Sequence, residues 1–352
     1  MSIDESKLNA LMGRMVAEFG AIASAPLVIL GDRLGLYKAM AGAGPMTIDQ
    51  LSETTRLRLR YAQEWLNAQA ASGFVDYDPS TQTYSLSPEA AMVLADDSSP
   101  AYMGGGFEIL LAMYRDLDKV QKSFVDGTGL GWHEHDPCLY SGTERFFRAG
   151  YNVNLEPNWI PALDGMADRL RAGARVADVG GGFGASTIVL AKAYPKSTFV
   201  GYDYHEPSIA SARRRAIEAG VADRVSFEVA SAKTYPGRQF DLVAFFDCLH
   251  DMGDPIGAAR HVRQTLAADG TWMIVEPFAN DRVEQNLNPV GRVYYSASAM
   301  ICTPCSLAQE VGLGLGAQAG EQRIREVVTE GGFGRFRRVA ETPFNLVFEA
   351  RA

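Results

Sequence analysis

The residues best suited to chemistry lie in one stretch, Val176-Ala-Asp-Val-Gly-Gly-Gly-Phe-Gly184. A short apolar run carrying Asp178 passes into Gly180, Gly181, Gly182 and Gly184 and then into a helix-like segment from Ser186 to Tyr194, which predicts strand, glycine turn, helix. Glycine suits such a turn because a Cβ would hold the backbone away from a ligand and because positive φ is cheap only for glycine. The amides of the following helix N-terminus then face that ligand. Gly180, Gly182 and Ala185 also satisfy the general G-x-G-x-x-G/A pattern. A tight turn that binds nothing uses the same glycines, so the surroundings must decide.

Two other clusters invite a chemical reading. Cys302-Thr-Pro-Cys305 has C-x-x-C spacing, but no second pair or histidine cluster stands nearby in sequence to complete a zinc site, so ordinary burial is expected. The loop Trp132-His133-Glu134-His135-Asp136 resembles a ligand run without specifying a third ligand, and such residues on an irregular loop are expected to be solvated or to line a pocket. No metal is therefore expected.

Composition narrows the partners. With 352 residues, 47% of them hydrophobic, the chain exceeds one ordinary domain and has ample material for a core. A net charge of −9 gives no general attraction for nucleic acid or an anionic membrane surface. The four cysteines, Cys138, Cys248, Cys302 and Cys305, are too sparse for a disulfide framework and suit a reducing cytoplasm. The apolar run Ala21 to Leu30 is too short to cross a bilayer, contains Pro26 and follows an acidic start, so neither a signal peptide nor a membrane span is expected.

These residues need a scaffold, and the order of elements supplies one. Residues from about 5 to 40 predict two helices, whose apolar positions invite a partner subunit. Thr47-Ile-Asp-Gln50 starts a helix with a capping box, and a longer helix follows from about Leu57 to Ser72. Strand-like runs flank Asp78-Pro79-Ser80, and Ser87-Pro88-Glu89 opens another helix. Helix, turn, helix and β-wing make a winged helix. Arg56, Arg58 and Arg60 hint at DNA, but the first hundred residues carry twelve acids against seven Lys and Arg, which argues against phosphate binding and for dimerisation. The domains expected are 1–100, winged helix; 101–160, a helical linker; and 161–352, the catalytic domain. In the last, strand candidates Arg175–Val179, Thr198–Tyr202, Val225–Val229, Leu242–Phe246 and Trp272–Glu276 alternate with helices, one of them ending at Asp269-Gly270, which predicts a parallel sheet covered on both faces. Arg335–Ala340 and Asn345–Ala350 predict a terminal antiparallel pair.

This order resembles the class I S-adenosylmethionine-dependent methyltransferases, specifically the small-molecule O-methyltransferases with an N-terminal winged-helix dimerisation domain. The resemblance rests on Asp178 to Gly184, on Asp203 after the second strand, on Leu249-His250-Asp251 after the fourth, and on Asp269-Gly270 leading to a fifth strand that ends in Glu276. It implies a Rossmann-like, mostly parallel sheet, S-adenosylmethionine as cofactor, a homodimer and a small-molecule substrate. By the same resemblance Asp178, Gly180, Gly182 and Gly184 form the cofactor turn, Tyr204 stacks beside the adenine, Ser231 and Ala232 meet its edge, and the backbone near Phe246 and Asp247 holds the methionine amine. Asp203 can accept both ribose hydroxyls, an arrangement that serves NAD equally well.

The sequence departs from the family in two places. Where an acid often follows the third strand, this chain has Ala230-Ser231-Ala232-Lys233, and Phe246 stands where a lysine often precedes the histidine by four residues. His250 is the catalytic candidate. Methyl transfer is an in-line displacement, so the protein supplies alignment and removes the nucleophile's proton. A phenol with a pKa near ~10 gives up its proton to a held imidazole as the new bond forms; by resemblance Glu276 orients that imidazole. Trp132, Phe147, Tyr151, Tyr294, Tyr295 and Met300 are candidates for the apolar walls of a substrate pocket. Two competitors remain: a nicotinamide-dependent oxidoreductase, which leaves Leu249-His250-Asp251 unexplained, and a ligand-sensing transcription regulator with a methyltransferase-like domain.

Overall fold

A computed structural model describes residues 3–352 and divides into two compact units, Met1–Leu111 with Ser141–Ala149, and Ala112–Tyr140 with Gly150–Ala352. In the first unit α1 (Glu5–Arg33), α2 (Leu36–Met40), α3 (Ile48–Thr55) and α4 (Leu59–Ala71) precede the hairpin β1 (Asp76–Asp78) and β2 (Thr83–Ser85), and α5 (Pro88–Leu94) follows. The capping box expected at Thr47 and Gln50 is formed, and Ser87 caps α5 with Pro88 in its first turn. Apolar side chains at helical spacing meet in one core of Leu36, Tyr37, Leu51, Trp65 and Leu66. Trp65 packs edge-on against Tyr37 at 5.1 Å, and the Tyr37 hydroxyl donates to Gln69 Oε1 at 2.6 Å.

The two helices expected over about 5–40 are formed but very unequal: α1 runs unbroken for 29 residues through Pro26, and α2 has only five. A proline inside a helix removes one amide donor and costs about 3 kcal/mol, yet α1 continues through Pro26. By length and composition alone α1 could cross a membrane, and its richest apolar window is only 17% buried.

Residues 141–149 belong to this unit through a polar network. Arg145 donates to both carboxylate oxygens of Asp32, at 2.7 and 3.0 Å, and also reaches Glu108, Asp97 and the Tyr102 hydroxyl. A fork donor with a two-oxygen acceptor is the strong form of such a contact.

The second unit is built on a seven-stranded sheet. Its strands are β3 (Arg175–Val179), β4 (Thr198–Asp203), β5 (Val225–Val229), β6 (Phe240–Phe246), β7 (Leu266–Pro277), β8 (Arg335–Glu341) and β9 (Asn345–Arg351), in the order β5-β4-β3-β6-β7-β9-β8. β5 to β7 pair in parallel and β9 runs antiparallel to both β7 and β8, as the sequence predicts. Strands covered by helices on both faces bury nearly every side chain, and Leu242 to Phe245 and Trp272 to Val275 are sealed. The chain reverses between β3 and β6, so the carboxyl ends of β3, β4, β6 and β7 face one crevice.

Asp269-Gly270 does not end a helix. The preceding helix stops at Thr265, and Asp269 and Gly270 lie inside β7, where pairing with β6 slips between Phe240 and Leu242. A bulge in an otherwise regular ladder absorbs the extra residues.

The Arg145 network gives a stability prediction. Arg145→Ala strands Asp32, whose side chain is 11% exposed, and should lower stability by about 3–5 kcal/mol, while the paired change Arg145→Met with Asp32→Asn should recover most of that loss. Urea unfolding followed by circular dichroism checks it; an unchanged midpoint in Arg145→Ala refutes it.

Candidate active site

The glycine turn is fixed by packing on two sides and open on the third. Gly180, Gly182 and Gly184 have φ of +76°, +51° and +78°. A Cβ on Gly180 would lie 2.6 Å from Cys248 Sγ and one on Gly184 2.5 Å from Phe227 Cζ, whereas one on Gly182 would meet nothing within 4 Å. Gly180 and Gly181 donate their amides to the Tyr202 carbonyl at 2.8 and 3.1 Å, which ties the turn to β4.

Two acids anchor this turn. Asp178 is fully buried, and its Oδ2 accepts from the hydroxyls of Ser186 and Thr187, both at 2.6 Å, holding the start of the helix Ala185–Ala193. Its Oδ1 is buried without a hydrogen-bond partner. Burial pushes the Asp178 carboxyl up to about 6 against those two hydroxyls, and Asp203 adds repulsion. Asp203, at the end of β4, accepts from the Gly182 amide at 2.9 Å and from the His205 amide at 2.8 Å. Each carboxylate oxygen has a second lone pair, so Asp203 can close the turn and still accept hydroxyls. Burial raises its pKa as well.

His250 sits in a short turn, Leu249–Asp251, directly after β6, and is 4% exposed. Glu276 in β7 holds it from both ends: Oε1 accepts the Leu249 amide at 3.0 Å and Oε2 meets His250 Nδ1 at 2.6 Å. A carboxylate accepts, so Nδ1 donates and Nε2 faces the other way, 3.2 Å from Asp251 Oδ1. Burial works against the charged imidazole, but the Asp251 and Glu276 carboxylates outweigh it and raise the His250 pKa well above its ordinary value. The His250 loop is pinned further by the amide of Gly316, which donates to the His250 carbonyl at 3.3 Å, and by Gln309 Nε2, which donates to the Asp251 carbonyl at 2.8 Å.

Asp247 is the residue whose side chain the sequence reading did not use. Its φ is +51°, rare for a non-glycine residue, and its amide donates to Val275 O at 2.8 Å. That backbone turns the carboxyl inward, where Oδ2 accepts from the Tyr151 hydroxyl at 2.9 Å and Oδ1 from Asn345 Nδ2 at 2.8 Å. Burial pushes this carboxyl up to about 8, helped by repulsion from Glu276. Asn345 carries no sequence signal beyond opening the last strand.

The remaining candidates are distributed as follows. Phe246 is buried with its ring 5.3 Å from that of Tyr151. Tyr204 is exposed beside His133, Ser231 is exposed, and Ala232 packs on the core of the sheet. Lys233 turns to Glu310 at 2.8 Å and Asp254 at 3.3 Å. In the second unit Tyr294 is buried, its hydroxyl donating to the Phe344 carbonyl at 2.8 Å, while Trp132, Tyr295 and Met300 are half-buried. Phe147 belongs to the first unit, 5.2 Å from Phe146. The 132–136 loop is not simply solvated. His135 points inward, with Nδ1 2.9 Å from Asp116 Oδ2, and Asp136 pairs with Arg115 at 3.1 Å. Tethering by two residues from the preceding helices overrides the loop's polarity.

Comparison with known proteins agrees with this geometry. Residues 22–96 match an Rv2258c-like winged helix-turn-helix domain, and residues 170–332 match a methyltransferase domain. The chain has the winged-helix class I methyltransferase fold. Human N-acetylserotonin methyltransferase, solved in complex with S-adenosylmethionine, superposes with a TM-score of 0.71 at 15% identity over 100% of this chain and 99% of that one. The mitomycin 7-O-methyltransferase MmcR gives 0.69 at 18% identity over 99% and 100%. A 27-O-demethylrifamycin SV methyltransferase of Amycolatopsis mediterranei is 37% identical over 103 residues, 29% of this chain; the match spans only 38% of that relative.

The residues of this methyltransferase fold suit S-adenosylmethionine on two counts of their own. The cofactor carries an ammonium and a sulfonium, and the crevice offers buried carboxyls at Asp178 and Asp247 with raised pKa, one of them bearing an unpartnered oxygen. The open side of Gly182 lets backbone approach the ligand.

Asp247 gives a pH prediction. Its folded pKa near 8 lies above the unfolded value near ~3.9, so the folded state holds the extra proton in between and stability falls as pH rises through 8. The melting temperature should fall by a few degrees more between pH 6.5 and 9 in the native protein than in Asp247→Asn, which mimics the protonated acid, accepting from Asn345 and donating to the Tyr151 oxygen. Parallel melting curves for the two proteins refute the assignment.

Proposed function

We propose that this chain transfers the methyl group of S-adenosylmethionine to a hydroxyl of a small, aromatic compound in the cytoplasm. The carrying observation is His250, anchored by Glu276 at 2.6 Å, on the loop after β6 whose Cys248 packs against Gly180 of the glycine turn. Asp203 holds the ribose hydroxyls, Tyr204 lies beside the adenine, Ser231 and Ala232 meet its edge, and the backbone at Phe246 and Asp247 takes the methionine amine. When bound, the cofactor supplies an electrophilic methyl carbon on sulfur. This chain's own part would be to align the substrate hydroxyl and, with the imidazole in its neutral form, to take the hydroxyl proton on His250 Nε2 as the methyl group moves. Glu276 keeps the ring's other nitrogen occupied as a donor, so a single orientation of the base is available without reorganisation. Tyr151, Tyr294, Tyr295, Met300 and Trp132, all of the second unit, are assigned as apolar walls for the substrate.

The test is kinetic and calorimetric. With a panel of phenols and quinols and a labelled methyl donor, His250→Ala should lower turnover by about 10² or more, as loss of a general base does. The same variant should bind S-adenosylhomocysteine as the native protein does, whereas Asp203→Ala should bind it at least tenfold more weakly. Undiminished turnover in His250→Ala removes the base assignment, and equal binding in Asp203→Ala removes the cofactor assignment.

The second element of the proposal is a homodimer through α1. Leu11, Met12, Val16, Phe19 and Ile22 along this helix are all between 48% and 69% exposed, far more apolar surface than a helix leaves bare without a partner. A single apolar stripe running over about three turns fits a second copy of the same helix. Val16→Asp with Phe19→Asp should halve the mass measured by light scattering while the circular dichroism spectrum is kept; an unchanged mass rejects this interface.

A further inference from the structure

The face of His250 turned away from Glu276 brings together three atoms of the kind that bind metals. Nε2 lies 3.2 Å from Asp251 Oδ1, and these two atoms and Cys302 Sγ all fall within 4.8 Å of one another. His250 and Cys302 are buried, while the Asp251 side chain is 18% exposed and opens the cluster toward solvent. Cys302 closes a π-turn, Ser298–Cys302, at the head of the helix Thr303–Leu307, and a single π-turn of this sort is frequent at functional sites. The Ser306 hydroxyl on that helix donates to the Met252 carbonyl at 2.8 Å, fixing helix and histidine loop together.

Nδ1 is already committed to Glu276, and Nε2 faces Asp251 Oδ1 at 3.2 Å, close enough for the second ring proton to bridge them. That proton satisfies nitrogen and oxygen and does little for the sulfur, whereas a soft cation that displaces it and the thiol proton draws all three atoms.

We propose that His250 Nε2, Asp251 Oδ1 and Cys302 Sγ form a three-ligand site for a thiophilic divalent cation of the zinc class, with the fourth position open. Nitrogen, oxygen and thiolate ligands at about 2.0–2.3 Å are the ordinary zinc set, and three protein ligands with an open position are the ordinary arrangement of a reactive site. Bonds of that length place tetrahedral ligands about 3.3–3.8 Å apart, so the cluster is already nearly assembled. Glu276 behind Nδ1 is the outer-shell carboxylate that orients a metal-binding histidine. The assignment departs from the sequence expectation, because Cys302-Thr-Pro-Cys305 has no histidine near it along the chain and the fold supplies one from the loop after β6. Nε2 has one lone pair, so cation binding and proton acceptance exclude each other, and the cation is an inhibitor of the proposed transfer. The binding itself does not depend on that reading.

Cobalt(II) is the probe, because thiolate ligation gives it a near-ultraviolet charge-transfer band and tetrahedral geometry strengthens its visible bands. The full chain, stripped with chelator and kept reduced, should take one cobalt per chain with both features, and zinc should abolish them. Cys302→Ser should lose the charge-transfer band, Cys305→Ser should keep it, and Asp251→Asn should weaken cobalt binding at least tenfold. Circular dichroism and S-adenosylhomocysteine calorimetry establish that each variant is folded, and Asp251→Asn decides the matter if Cys302→Ser is not. Absence of the band in the native chain, its survival in Cys302→Ser, or native affinity in Asp251→Asn overturns the site.

Discussion

The second unit depends on a concentration of buried negative charge at one edge of its sheet. Asp178, Asp203, Asp247 and Glu276 stand at the carboxyl ends of β3, β4, β6 and β7, and a parallel sheet leaves no choice but to bring those ends together. Each acid is held by a neutral donor or an imidazole: hydroxyls for Asp178, backbone amides for Asp203, Tyr151 and Asn345 for Asp247, and Leu249 and His250 for Glu276. Burial raises the pKa of Asp178, Asp203 and Asp247 together. The protein alone thus tolerates a crevice that is electrostatically unfavourable, and a cationic ligand relieves it. Charge that destabilises the free fold is the charge that recognises the cofactor.

Some of this was legible in the sequence. The glycine turn announces itself because packing and φ both demand glycine: neither Gly180 nor Gly184 has room for a Cβ, and both have positive φ. The capping box at Thr47 and Gln50, the strand pair at the chain end and the placement of Asp203, His250 and Glu276 at strand ends follow from local chemistry and from the alternation of elements. What stayed hidden depends on distant approach. The Asn345 contact to Asp247 spans nearly a hundred residues, and Cys302 meets His250 only because the π-turn Ser298–Cys302 folds over the loop after β6. His135 reads as a surface residue until Asp116 is seen to take it inward. Asp269-Gly270 has the composition of a turn, and the bulge in β7 uses it without breaking the strand.

The position before Asp247 links the departure from the family pattern to this charge problem. A lysine in place of Phe246 would neutralise the neighbouring acid. Phe246 instead packs its ring against Tyr151 at 5.3 Å, which brings the Tyr151 hydroxyl to the Asp247 carboxyl. The charge is then handled by two neutral donors and by a proton retained up to about pH 8, in place of an ion pair. A neutral acid costs less to bury than an unpaired carboxylate, and the αL backbone of Asp247 is the strain accepted to point it inward. The arrangement puts no lysine beside Asp247, so His250 and a bound cationic ligand are left to offset its charge.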